Sequence, residues 1–211
     1  MIELIHACSP QMQLPVAQAI IKSESSFNQF AIGVNKGGAV RQPRTYQEAV
    51  TTAKWLLGYG ANIDMGFAQI NSSNMHRLGL SVEQAFDPCG NLKAMQTIYL
   101  GCYAKAGEAG YGNRMQRALS CYNTGNITKG FSNGYVNKVT NNFNAFAGGA
   151  KIIYQQYPQK RKPILTKLPN PKIVISMTAK VVKNTKVDVP PQAETQLPVK
   201  VHSTWDVFKD Y

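Results

Sequence analysis

One glutamate, Glu24, lies where an acid could do chemistry. Helical spacing places Glu24 over Ile20 and Ile21, with Ala17 a further turn away. Apolar neighbours disfavour the charged form of a carboxyl group and raise its pKa, so that the group can donate a proton near neutral pH. The sequence therefore indicates a general acid at Glu24, and an ordinary solvated glutamate is the competing interpretation.

The elements that must position this acid are predicted to be mostly helical. The helix that carries it starts near Pro15, a residue suited to a first helical turn. Thr45 and Glu48 have the spacing of a capping box at the start of another helix. Residues 62–74, "NIDMGFAQINSSN", have no helical period and predict a hairpin or loop. Helices are also predicted over 91–107 and 112–126. The fold class is thus α+β, mostly helical with a small β element.

The composition divides the 211-residue chain near residue 150. Residues 151–211 contain seven of the eleven prolines and eleven Lys or Arg against four Asp or Glu, a net charge of +7 out of +12. This segment has no amphipathic period and is predicted to be an extended or disordered basic tail. Residues 1–150 are predicted to form the folded domain.

The positive charge favours an anionic partner, for which nucleic acid, anionic lipid and the bacterial cell wall all qualify. The basic residues of the folded part match no nucleic-acid-binding motif, so nucleic acid is not predicted. No apolar run approaches the ~20 residues of a membrane span, and no transmembrane segment is expected.

Four cysteines favour disulfides over a metal site. Cys8, Cys89, Cys102 and Cys121 show no CxxC pairing and no nearby histidine cluster, which argues against zinc. Of the three possible connectivities we predict Cys102–Cys121, on consecutive helices joined by a Gly-rich turn, and Cys8–Cys89, which would tie the N-terminus to the core. Disulfides favour export, although the first ten residues lack the basic and apolar regions of a signal peptide.

Four short motifs occur in a fixed order along the chain. They are "ESSFN" from residue 24, "GFAQIN" from 66, "ALSCYNTGN" from 118 and "GYVNKV" from 134. Together, over roughly residues 8–145, they resemble the lysozyme-like lytic transglycosylases. The "AIGVN" from residue 31 and the insert over 41–64 are similar to the members that serve type IV secretion and conjugation systems.

The resemblance implies a periplasmic enzyme that cuts the β-1,4 bond between N-acetylmuramic acid and N-acetylglucosamine without water. Glu24 matches the family's catalytic acid and would protonate the leaving oxygen. The 6-hydroxyl of the muramic acid then attacks the anomeric carbon, and the same glutamate accepts its proton. The product is a 1,6-anhydro sugar, and no metal or organic cofactor is implied.

Asp64 is the candidate for a second carboxylate beside Glu24. Two other acids have helix roles, Glu48 in the capping box and Asp87, which precedes Pro88, as a helix-start residue. Asp64 is expected either to contact substrate, or to act as the base of a hydrolytic enzyme. A role in a turn, where Asp is favoured, is the competing interpretation.

Four more residues match positions that line the family's sugar groove. Gln69 has a hydrogen bond within the hairpin as its alternative role. Tyr122 is expected to bring its hydroxyl near the acid, with core packing as the alternative. Tyr135 is expected to line the groove or to pack, and Asn123 to end its helix or to touch sugar.

Two positions depart from the family pattern. Gly33 replaces a serine whose hydroxyl would hydrogen-bond the catalytic glutamate. Ala68 replaces a methionine before the motif glutamine, and Met65 or Phe67 is expected to fill the space.

Two rival functions stay open. One is a lysozyme-type muramidase that hydrolyses the same bond with water, using Asp64. The other is a catalytically weak module that binds the wall and recruits secretion components through the tail.

Overall fold

The structure is a computed structural model, and it describes residues 1–148. The predictions for the basic tail at 151–211 lie outside the described residues, and so does the end of the domain predicted for 1–150. Within the described part, no helix is both long and apolar enough to cross a lipid bilayer.

The described residues form helices around a small sheet. The helices are α1 (Ile2–Cys8), α2 (Leu14–Ser25), α3 (Tyr46–Gly58), α4 (Met75–Leu78), α5 (Val82–Phe86), α6 (Pro88–Ala106), α7 (Arg114–Thr124), α8 (Lys129–Ser132) and α9 (Tyr135–Phe146). The strands are β1 (Ile32–Val34), β2 (Ile63–Met65) and β3 (Ile70–Asn71), and a 3₁₀ turn covers Ser72–Asn74. The predicted α+β class with a small β element is confirmed.

The sheet is antiparallel with the order β1-β2-β3. Its register aligns two rows of cross-strand neighbours. One row is Gly33, Asp64 and Asn71, and the other is Ile32, Met65 and Ile70. Successive side chains point to opposite faces of a strand. The apolar row is buried, so the row that contains Asp64 faces away from the core.

Two apolar clusters hold the helices and the sheet together. The larger cluster takes most of its residues from α1, α2, α6, α7 and α9, and it includes Ile20 and Ile21, both 0% exposed. The smaller cluster lies between the sheet and helices α3 and α5, and it contains Ala49, Ala53 and Phe86. Burial of this apolar surface is the main favourable contribution to folding.

Local sequence signals explain where the main helices begin and end. Asp87 marks the start of α6, as predicted, by accepting a hydrogen bond from Gly90 N. The helix begins at Pro88, three residues before the predicted range of 91–107. Thr45 caps α3 by accepting from Glu48 N. The second half of the predicted capping box is wrong, because the Glu48 carboxylate accepts from Arg44 N at 2.8 Å and pairs with Arg41.

Both predicted disulfides, Cys8–Cys89 and Cys102–Cys121, are present. Cys89 was expected before a helix but lies in the first turn of α6, and Cys8 is the last residue of α1. The sequence separations are 81 and 19 residues. On the chain-entropy view the bridges stabilise the fold by about 4.5 and 3 kcal/mol respectively, the longer loop gaining more.

Candidate active site

The end of α2 presents Glu24, and contacts from distant parts of the chain fix that end. Ser25 Oγ donates to Phe67 O at 2.7 Å, which ties the helix to the turn between β2 and β3. The next two residues, Ser26 and Phe27, have φ of 53° and 66°, so the chain leaves the helix through the left-handed region. Glu24 therefore stands at a fixed helix terminus.

The Glu24 carboxyl group has the environment that a general acid needs. Its pKa is raised from 4.5 to about 7, mainly by burial and to a smaller extent by the charge of Asp64. A hydrogen bond from Tyr135 and the cation of Lys138 act in the opposite direction and lower the pKa. The carboxyl group is thus poised between its two protonation states near neutral pH, where proton donation and acceptance are both accessible.

Tyr135 contacts this acid directly. Its hydroxyl donates to Glu24 Oε1 at 2.5 Å, across 111 positions of sequence. Burial raises the pKa of Tyr135 well above its ordinary value, so the hydroxyl keeps its proton and remains a donor. Of the two alternatives for Tyr135, groove lining and packing, packing is confirmed, because the ring is buried in the larger cluster. Tyr135 is not among the residues that line the groove described below.

Tyr122 has a different partner from the one expected. Its hydroxyl donates to Ala68 O at 2.9 Å, in the turn that carries Gln69. Burial raises its pKa well above the ordinary value, and the charges of Glu24 and Asp64 act in the same direction. Tyr122 is close enough to the acid to interact with its charge, while its hydroxyl supports the turn.

Asp64 lies in β2, so the alternative of a turn role is wrong. Its two carboxylate oxygens accept from Asn71 Nδ2 at 2.8 Å and from Asn35 Nδ2 at 2.9 Å. Burial raises the pKa of Asp64, and the hydrogen bonds from Asn71 and Asn35 lower it. The two amide donors favour the charged carboxylate opposite Glu24.

Gln69 lies in the turn with φ 47°, a left-handed conformation that is uncommon outside glycine. Its Nε2 donates to Ala31 O at 3.1 Å and to Gly66 O at 3.0 Å. Both of its amide hydrogens thus have partners within the fold, and Oε1 is the atom left to accept a hydrogen bond. The hydrogen bonds confirm the hairpin interpretation, and a contact of Oε1 with sugar stays a prediction.

The geometry of Gln69 also accounts for Gly33. A Cβ atom added at Gly33 would lie 2.9 Å from Gln69 Oε1, closer than real Cβ contacts allow. A serine there would push the amide away from its two carbonyl partners. Of the residues expected to replace the family's methionine, Phe67 packs in the same cluster as Ala68, whereas Met65 lies in the other cluster.

Glu24, Asp64, Gln69 and Tyr122 meet in one open groove of about 380 Å³. Its lining is mostly acid, amide and hydroxyl groups, which suit a hydroxyl-rich ligand such as a sugar. The lining residues are Glu24, Asn35, Asp64, Gln69, Asn71, Asn74, Ile98, Tyr122, Asn123, Thr124, Gly125, Lys129 and Asn133. Asn123 accepts from Asn133 Nδ2 at 2.9 Å, and the residue that ends α7 is Gly125, with φ 68°.

Two residues that support the groove, Asn91 and Asn35, were not predicted from the sequence. Asn91 is 1% exposed and its amide reaches three backbone groups, accepting from Ala68 N and donating to Met65 O and Ala85 O. A polar residue in the apolar part of a helix was the available signal, because a buried amide must have partners. Asn35 ends the quoted motif "AIGVN", but no local pattern shows that it binds Asp64.

A helical domain, a small sheet and a polar groove that contains two acids of raised pKa, Glu24 and Asp64, are features of a lysozyme-like domain. The sequence profile of the family described as "Transglycosylase SLT domain" matches residues 3–159. The match covers most of the chain, and the chain belongs to this family.

Relatives in secretion systems are similar to the same part of the chain. The "Type IV secretion system protein virB1" of Brucella suis biovar 1 (strain 1330) is 42% identical over 144 residues, 64% of this chain and 60% of that protein. "Protein virB1" of Agrobacterium fabrum (strain C58 / ATCC 33970) is 34% identical over 133 residues, 63% and 54% of the two chains. The matches thus span about 60% or less of these relatives' own length. No solved structure matches the chain.

Proposed function

We propose that the protein is a peptidoglycan lytic transglycosylase in which Glu24 is the only catalytic carboxylate. The observation that carries the proposal is the state of this residue, an acid in a sugar-compatible groove whose pKa burial raises to about 7. Membership of the transglycosylase family supports the reaction type. The substrate would be the β-1,4 bond between N-acetylmuramic acid and N-acetylglucosamine.

The first step uses the protonated form of Glu24. The carboxylic acid gives its proton to the glycosidic oxygen while the bond from that oxygen to the anomeric carbon breaks, and the N-acetylglucosamine leaves with a free 4-hydroxyl. Positive charge develops at the anomeric carbon. Tyr135 donates to the carboxylate that forms, and a hydrogen bond to the charged form stabilises it.

The second step uses the ionised form. The 6-hydroxyl oxygen of the muramic acid bonds to the anomeric carbon, and its proton passes to Glu24. The acid is regenerated, the sugar ends as a 1,6-anhydro ring, and no water is consumed. A pKa near 7 suits both steps, because a group that must give and then take a proton works best when neither state is strongly favoured.

Asp64 favours one rival, a muramidase that hydrolyses the bond. It lines the same groove as Glu24, as the second carboxylate of a hydrolase would. Both of its oxygens already accept from Asn35 and Asn71, so both are occupied and neither is directed freely at a water or a sugar. We assign it instead an electrostatic role, in which its charge favours the positive charge at the anomeric carbon.

The products separate the two reactions. We expect digestion of purified sacculi in H₂¹⁸O to release 1,6-anhydro-muropeptides without ¹⁸O, identified by mass spectrometry. Reducing ends that carry ¹⁸O would establish hydrolysis and overturn the proposal. An intact protein that releases no muropeptides but binds sacculi would support the recruitment module.

Replacing Asp64 with Asn should reduce turnover on soluble glycan strands by no more than about tenfold. The Asp64 charge raises the pKa of Glu24, so its removal lowers that pKa. Activity needs protonated Glu24 and falls as pH rises through its pKa. The alkaline limb of the kcat/KM profile should therefore move to lower pH. If Asp64→Asn is as inactive as a variant without the acid, Asp64 takes part in the chemistry and the hydrolytic mechanism gains.

The setting we propose is the periplasm, where the enzyme would open peptidoglycan locally for a type IV secretion or conjugation apparatus. The names of the Brucella relatives support this setting. The two disulfides fit an oxidising compartment. We assign contacts with secretion components or the anionic wall to the basic tail at 151–211.

A further inference from the structure

Helix α9 holds the last turn of α2 through three side chains that lie on one side of α9. Tyr135, Lys138 and Asn142 follow the spacing i, i+3, i+7, which places them on one helix face. Tyr135 donates to Glu24 Oε1, Lys138 Nζ donates to Ser23 O, and Asn142 Nδ2 donates to Ser23 Oγ at 2.8 Å. One face of α9 thus contacts the catalytic acid and the residue before it.

Lys138 provides a hydrogen-bond partner for a backbone carbonyl at the C-terminal end of α2. The last four carbonyl groups of a helix have no partner inside it, and the carbonyl of Ser23 is one of these in a helix that ends at Ser25. Lys138 supplies a donor to this carbonyl. It also brings a positive charge to the C-terminal end, where the helix dipole favours cations.

Lys138 is also a charge that acts on Glu24. The groups that face the acid are the hydroxyls of Tyr135 and Tyr122, the carboxylate of Asp64 and the ammonium of Lys138. Asp64 and Lys138 oppose each other, since the carboxylate raises the pKa of Glu24 and the ammonium lowers it. Lys138 is exposed, so solvent reduces its effect but does not remove it.

We propose that Lys138 is a positioning residue for the catalytic acid: its ammonium fixes the end of α2 and stabilises the Glu24 carboxylate that forms when this residue gives up its proton. The role rests on the proposed function, because the carboxylate that Lys138 stabilises is there both the product of the first step and the base of the second. No base or nucleophile role is assigned to Lys138 itself.

The test is the titration of Glu24 in the full-length protein, with Lys138→Met as the main variant. Methionine removes the charge and the donor while keeping a long side chain. Without the ammonium, the pKa of Glu24 should rise by roughly half a unit to one unit. This shift should appear in ¹³C NMR of the Glu24 carboxyl and as a displacement of the alkaline limb of kcat/KM to higher pH. The difference from the wild type should shrink at high salt.

Two further variants separate charge from structure. Lys138→Arg keeps the charge and a donor and should titrate like the wild type. Lys22→Met is the matched control, because Lys22 is an exposed lysine in the last turn of the same helix, and it should leave the limb in place. If Lys138→Met does not fold, Lys138→Gln gives the same titration.

The outcomes decide the proposal either way. A Glu24 titration in Lys138→Met or Lys138→Gln that matches the wild type would overturn it, and so would lower activity at every pH with the limb unmoved. Because the NMR titration needs no substrate, it still reads the effect of Lys138 if the wild type releases no anhydro product. A wild type that releases no anhydro product would reject the proposed function, whatever the titration of Glu24 shows.

Discussion

Replacing Glu24 with Gln is expected to remove nearly all release of 1,6-anhydro-muropeptides from peptidoglycan. Glutamine keeps the shape of the side chain and can still accept the hydrogen bond from Tyr135, but it has no proton to transfer. A positioned acid contributes typically about 10²–10⁴-fold to a rate, and here the same group acts in both steps. The measurement is the initial rate of muropeptide release, by chromatography and mass spectrometry.

The stability of this variant supplies its control. The pKa of Glu24 is about 7 in the fold against an ordinary value of 4.5, so the folded state binds more protons than the unfolded state between these values. The wild type therefore loses stability as pH rises from about 4.5 to 7. Glu24→Gln escapes this loss, and its free energy of unfolding at pH 8 should equal or exceed that of the wild type. An inactive variant that is less stable would indicate misfolding, and one with normal release would reject Glu24 as the acid.

The parts of the site that follow local sequence rules were predictable. Glu24 lies one turn above Ile20 and Ile21, and helical periodicity alone predicts that this acid is on the apolar face of its helix. Pro15 and Asp87 signal helix starts because their effects act within a few residues. The four ordered motifs then supplied what periodicity cannot, the assignment of the acid to a family with known chemistry.

The contacts that tune the acid were not predictable in the same way. Tyr135 and Lys138 lie more than 100 positions from their partners in α2, and no local rule connects such distant positions. Asp64 shows the same limit on a smaller scale. Its neighbours favoured a turn, but pairing with β1 and β3 makes the segment a strand and directs the side chain to the groove.

Glu48 illustrates a local rule that only half applies. The spacing from Thr45 predicts a reciprocal pair of hydrogen bonds, and the first of them is present. The carboxylate bonds instead to Arg44 N and to the side chain of Arg41, both just before the cap. The capping-box pattern covers only four residues, so it does not include hydrogen-bond donors outside them that compete for the Glu48 carboxylate.

Replacing Gly66 with Ala should have the largest effect on stability that the site offers. Gly66 has φ 76°, where L side chains are strained. An added Cβ atom would lie 2.3 Å from Asn91 Nδ2 and 2.6 Å from Ala85 O. Asn91 is buried and holds the turn by hydrogen bonds, so it has no space to move. Backbone strain and overpacking each cost about 1–3 kcal/mol, and together we expect a loss of roughly 2–5 kcal/mol.

Urea unfolding followed by circular dichroism measures this loss, and Gly101→Ala is the matched control. Gly101 lies inside α6 with no atom near its added Cβ, and Ala is favoured over Gly in a helix by about 0.5–1 kcal/mol. The same substitution should therefore stabilise the protein at 101 and destabilise it at 66. Because the turn at Gly66 also presents Gln69 and adjoins Asp64, Gly66→Ala should lose activity even at temperatures where it stays folded. A Gly66→Ala protein with wild-type stability and turnover would mean that the turn does not need glycine, and the geometry assigned to this side of the groove would be wrong.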